Sequence, residues 1–188
     1  MNKPYEFVVI PETFELTSTR LLCTDPCYDK NSIGSYIIEN AKPGTWSSTI
    51  VKSNEGGWGM RVAELQINIL DDDDDALDAW AHEPIPESIG VDSGQAGFFD
   101  YDKYPETAGE YGDGESFYDA ACKVTYDEKD RTRQAGIVEG IGVNSSSGFG
   151  DGSYDLYVGR NSIGQVVSAR LVFFYDKAEE DDDGDDYD

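Results

Sequence analysis

Apolar and polar residues alternate along much of the chain, most cleanly toward its C-terminal end. In residues 153–158, Tyr154, Leu156 and Val158 share one side. Residues 159–164 interrupt the pattern with two glycines. Residues 165–175 then resume it, with Val167, Ala169, Leu171, Phe173 and Tyr175 on one face and Val166, Ser168, Arg170, Val172 and Phe174 on the other. Two period-two segments around a glycine-bearing loop predict a β-hairpin. The second strand is apolar on both faces near its end, which places it inside a sheet. Further strands are predicted at 5–10, 20–23, 45–52, 58–70, 88–91 and 136–143. Within 58–70 the phase changes: Trp58, Met60 and Val62 lie on one parity, and Ala63, Leu65, Ile67 and Ile69 on the other. A bulge or bend near Val62 reconciles the two. Gly136, Gly140 and Gly142 within 136–143 predict close backbone approach or strong curvature.

Helical periodicity is scarce. Residues 114–124 predict about three turns, by the helical rise, with Phe117, Ala120, Ala121 and Val124 inward. Residues 76–81 suit one short turn ended by Pro84 and Pro86, with the aspartates before it at its N-terminal end. Many short strands with Gly- and Pro-rich connections predict a mainly β fold. The expected architecture is a single-domain antiparallel β-sandwich or barrel with one or two short helices, spanning 1–176. Residues 177–188 carry no apolar side chain after Ala178 except Tyr187 and are expected to form a disordered acidic tail.

Composition sharpens this picture. Apolar residues are only 38 % of the 188, but 12 Tyr, 8 Phe and 3 Trp bring large apolar areas per side chain. The charge is extreme, with 39 acidic against 14 basic residues and a net charge of −25. Five acids lie in residues 71–75 and eight in residues 179–188, leaving 26 acids against the 14 bases elsewhere. The body is acidic on its own account, which disfavours direct binding to nucleic acid phosphate or an anionic membrane. The expected partner is another protein, with a cationic surface among its options. No segment has the length of a membrane span or the make-up of a secretory leader. Three cysteines, Cys23, Cys27 and Cys122, fit a reducing compartment, so the expected location is cytoplasmic.

Three segments combine aspartate and small residues with aromatics at strand ends: Thr24-Asp25-Pro26-Cys27-Tyr28, the stretch from Gly90 to Asp100 (GVDSGQAGFFD), and the stretch from Ser145 to Tyr154 (SSSGFGDGSY). With Gly57-Trp58-Gly59-Met60-Arg61-Val62, they resemble an uncharacterised family of small bacterial and phage proteins. That family carries DPCY, GWG-x-RV, VDSGQAGFFD and SSGFGDGSY motifs. The resemblance spans roughly residues 20–175 and implies a bacterial or phage setting, without a mechanism.

The residues in these motifs support two chemical readings. Asp25, Arg61, Asp92, Ser93, Gln95, Asp151 and Tyr154 are the candidate ligand-binding set. Asp92, Asp100, Asp151 and Asp155 are the candidate metal ligands, since glycine-spaced carboxylates suit calcium or magnesium. The commoner use of such aspartates is as turn residues that accept backbone N–H bonds. Residues 148–152, GFGDG, read as a tight turn between strands, because they lack the helix or lysine of a phosphate loop. Cys27 or Cys122 with His82, the sole histidine, does not make a convincing triad, and the cysteine spacing is a weak zinc signal. Trp46, Trp58, Phe98, Phe99, Tyr101 and Tyr104 are expected in the core.

No catalytic constellation stands out, and no cofactor is required. The leading expectation is a non-enzymatic acidic binding protein, a phage or bacterial accessory protein engaging a host protein as a defence inhibitor might. The alternatives are a small-ligand or divalent-metal protein or enzyme using the Asp/Gly motifs, and a virion-associated structural protein.

Overall fold

The computed structural model describes residues 5–70, 82–112, 114–126 and 132–175. The aspartate run, the expected helical turn at 76–81 and the acidic tail lie outside the described residues. The strands are β1 (Glu6–Leu16), β2 (Leu21–Thr24), β3 (Tyr36–Ile38), β4 (Gly44–Asn54), β5 (Met60–Ile69), β6 (Glu83–Pro84), β7 (Ile89–Val91), β8 (Gln95–Asp100), β9 (Ala135–Val138), β10 (Gly142–Ser146), β11 (Gly152–Arg160) and β12 (Val166–Val172). Among the described residues one α-helix, α1 (Phe117–Thr125), follows β8. Among the described residues no helix is long and apolar enough to cross a membrane.

Among the described residues the strands form two antiparallel sheets and no closed barrel. The larger has the order β1-β4-β5-β12-β11-β6, with β7 also on β11; the smaller has the order β3-β2-β8-β10-β9. The C-terminal hairpin is present as β11 and β12, and β12 sits between β5 and β11, inside the sheet. The phase change in 58–70 is a register shift: Val51 faces Glu64 while Lys52 faces Val62, so both Val62 and Ala63 turn inward and are buried. Trp58 falls before the strand, in a short 3-10 turn (Gly56–Trp58).

Sequence periodicity ends β1 too early at residue 10, passes over β3 and β6, and misjudges residues 136–143 and β8. Residues 136–143 are not one strand. Glu139 (φ 50°) and Gly140 (φ 72°) turn the chain, and β9 and β10 pair across that turn. Strand β8 escapes an alternation test because all six of its residues are buried. One of its faces joins the core between the sheets, where Phe98 shares a cluster with Trp46, Leu65, Leu156 and its cross-strand partner Val143. The other packs under α1, where Phe99 meets Tyr104, Phe117 and Ala121. Gly97 and Gly142 permit this layering, since a Cβ on either would lie 2.2 Å from a backbone oxygen of the adjoining strand.

Helix α1 begins later than the periodicity predicts because Ser116 caps it, its Oγ accepting from the Asp119 N–H. Asp119 in turn accepts from the N–H groups of Gly112 (2.8 Å) and Gly114 (2.6 Å), tying the preceding loop to the first turn.

Candidate functional site

Antiparallel pairing brings the motifs together. Thr24 at the end of β2 pairs with Gly97 near the start of β8, and Ser146 at the end of β10 pairs with Gln95. Gly152, opening β11, pairs with Val91 at the end of β7. The segments after β2, before β8 and between β10 and β11 therefore meet at one end of the sandwich. The turn at 147–151 carries the chain from the smaller sheet to the larger, and the Ser147 N–H donates to the Gly94 carbonyl (2.9 Å).

Asp25 is the hub of this end. It is fully buried, and each of its oxygens accepts two hydrogen bonds. Oδ1 takes the Cys27 N–H (2.9 Å) and the Ser93 hydroxyl (2.6 Å). Oδ2 takes the N–H groups of Asp92 (2.8 Å) and Ser93 (2.7 Å). One carboxylate thus fixes the turn containing Pro26 and ties it to the loop before β8. The Tyr28 hydroxyl donates to Asp92 (2.7 Å), a second tie between the same two segments.

One nearby thiol and two nearby phenols are pushed further toward their protonated forms. Burial, then the hydrogen bond and charge of Asp25, push the Cys27 thiol up to about 12. Burial and the bond to Asp92 raise the Tyr28 phenol. Burial takes Tyr118 of α1 up to about 12, against a hydrogen bond with Ser93 that lowers it. Gln95 donates to Cys122 Sγ (3.3 Å) and accepts from Thr125 Oγ1 (2.8 Å) and Asn144 Nδ2 (2.9 Å). A cavity of about 280 Å³ lies beside Gln95, Asp119, Cys122 and Thr125. A Cys27 thiol held neutral by burial and by Asp25 is not an activated nucleophile.

The fourth motif sits across the 147–151 turn. Arg61 donates through Nε to the Trp58 carbonyl (2.9 Å) and through Nη1 to the Gly148 carbonyl (3.5 Å), with its guanidinium 5.9 Å from the Phe149 ring centre. Phe149 packs edge-on to Trp58 and against Phe174. Trp58 and Phe149 nevertheless remain 70 % and 54 % exposed. Tyr154 is half-buried, its hydroxyl donating to the Gly150 carbonyl (2.5 Å), and Asp151 beside it is exposed.

A family model described as "Protein of unknown function (DUF4241)" matches residues 14–171. The chain belongs to the DUF4241 family. No curated protein and no solved structure matches it. The family match runs from β1 to β12 and takes in all four motif segments of this DUF4241 chain.

The two candidate residue sets fare differently. Asp25, Asp92 and Ser93 lie in one connected network, Gln95 bonds instead to Cys122, Thr125 and Asn144 beside α1, and Arg61 and Tyr154 each bond the 147–151 turn. Asp92, Asp100, Asp151 and Asp155 do not assemble. Asp100 ends β8, about 16 Å from Gln95 by the strand rise. There it accepts from the Thr17 N–H (2.8 Å) and hydroxyl (2.7 Å), the Ser18 hydroxyl (2.8 Å) and the Asp102 N–H (3.0 Å). Burial alone would raise its pKa, but these bonds together hold it below its ordinary value. Among the described residues no three His, Cys, Asp or Glu side chains are placed to hold a metal ion. His82 lies apart from the cysteines, against Ser168 (3.1 Å). Trp46, Phe98, Phe99 and Tyr104 are core, as expected; Trp58 is not. Sequence reading missed Tyr118, Thr125 and Asn144, which come from α1 and from β10 and carry no local motif.

Proposed function

We propose that this protein is a non-enzymatic binding module that engages a basic surface of another protein through the turn at 147–151 and the aromatic pair beside it. The observation that carries this reading is the exposure of Trp58 and Phe149 on a frame of hydrogen bonds. Aromatic faces attract Lys and Arg side chains, and Trp and Tyr with Arg are the residues that most often anchor protein interfaces. The exposed carboxylates of Asp92 and Asp151 stand in adjoining segments, and the overall charge of −25 favours encounter with a cationic partner.

The buried polar groups support binding over catalysis. Asp25 spends four acceptor positions on holding loops, and Cys27, Tyr28 and Tyr118 are kept neutral. The motif resemblance implies a bacterial or phage setting, and in the phage case the partner is a host protein.

Calorimetric titration with a Lys/Arg-rich peptide, and with a Glu-rich peptide of equal length, tests the reading. The expected result is saturable binding of the basic peptide alone, weakened by salt, and weakened about tenfold by Trp58→Ala or Phe149→Ala. Equal affinity in both variants, or no binding by the parent protein, would overturn it.

A further inference from the structure

Lys52 stands where strand geometry asks for a core residue. Along β4, Trp46, Ser48, Ile50 and Lys52 share the inward parity, and all four are buried, Lys52 with 8 % exposure. A buried ammonium is ordinarily paired, because removing its hydration is costly. It also carries three N–H donors. Lys52 Nζ donates to one acceptor, the Thr132 carbonyl (3.0 Å), and among the described residues no carboxylate pairs with it.

This ammonium lines a groove of about 850 Å³ between β1, at the edge of the larger sheet, and β9, at the edge of the smaller. That volume lies within the range of ligand pockets, about 300–1,000 Å³. Val8, Ile10 and Ile50 supply apolar wall, and Arg133 adds a second cation. Gln134, also in the wall, has a buried Oε1 without a donor. A protein so acidic overall therefore places two cations on one half-apolar groove. The exposed carboxylates of Glu6 and Glu12 also line it, which disfavours ligands of higher negative charge.

We propose that this groove binds an organic monocarboxylate with an apolar body, the carboxylate on Lys52 and the body along Val8, Ile10 and Ile50. The two unused N–H donors of Lys52 match the two oxygens of one carboxylate, and charge-assisted bonds of this kind are the strong ones. Nothing in this assignment uses the Trp58–Phe149 surface, so each can fail without the other.

Decanoate is the probe, titrated into the full-length protein by calorimetry, with decanol as the neutral control. Saturable binding of decanoate is expected, with decanol weaker by about tenfold or more. Lys52→Met should lose decanoate binding by a similar factor while keeping its circular dichroism, and Lys52→Arg should retain binding. The assignment is overturned by absence of saturable binding to the parent protein, by equal affinities for decanoate and decanol, or by undiminished decanoate binding in Lys52→Met. Should Lys52→Met fail to fold, decanol against decanoate on the parent protein, together with Lys52→Arg, still decides the matter, and loss of binding in Lys52→Arg would count against it.

Discussion

Asp25 and Lys52 are both buried charges, and the fold treats them in opposite ways. Asp25 is enclosed by four donors from two chain segments, so its charge is fully used in closing the motif end of the sandwich. Lys52 has one carbonyl and an open groove. A carboxylate gathers backbone N–H groups easily, because every turn offers them. An ammonium needs acceptors, and β4 in this position spends its own carbonyls on the sheet. The contrast teaches that burial of a charge does not by itself mark a binding site. The count of partners separates a structural charge from one left for a ligand.

Mutations sharpen this contrast in graded fashion. Asp25→Ala strands three N–H groups and a hydroxyl in the interior, and should cost about 4 kcal/mol, the largest effect in the set, read from urea unfolding. Asp100→Ala should cost about 2–3 kcal/mol at neutral pH on the same ground. Because the folded Asp100 acid titrates below the unfolded one, its contribution is whole above about pH 4, the ordinary aspartate value, and is lost as pH falls through the lower folded value. The gap between parent and Asp100→Ala should therefore narrow in acid, and a gap that persists unchanged down to pH 2 would contradict the hydrogen-bond account. Trp58→Ala removes an exposed ring and should move stability by no more than about 0.5 kcal/mol, while weakening capture of the basic peptide. A large stability loss there would make Trp58 a structural residue.

Much of the larger sheet was readable in advance, because its strands keep one face on the core. The alternation in 165–175 and the phase change at Val62 both translate directly into pairing and a bulge. The smaller sheet was harder. Strand β8 is covered on both faces, by the core and by α1, so it shows no period. The β9–β10 turn is built on Glu139 in a left-handed conformation, which its residue type does not announce. Convergence of the motif segments also depends on the order β2-β8-β10, and no local pattern encodes strand order. Lys52, by contrast, was visible: it continues the inward parity of Trp46, Ser48 and Ile50 along 45–52. A lysine in core phase is the signal.

The central distinction, between a charge the fold completes and a charge it leaves open, is tested most directly by unfolding Asp25→Ala and Lys52→Met side by side in urea at pH 7 without added ligand. The account predicts opposite behaviour: Asp25→Ala strongly destabilised, and Lys52→Met as stable as the parent or slightly more so, since an apolar side chain of similar size replaces an under-paired ammonium. A loss in Lys52→Met comparable to that in Asp25→Ala would show that Lys52 is as fully structural as Asp25, and would contradict it.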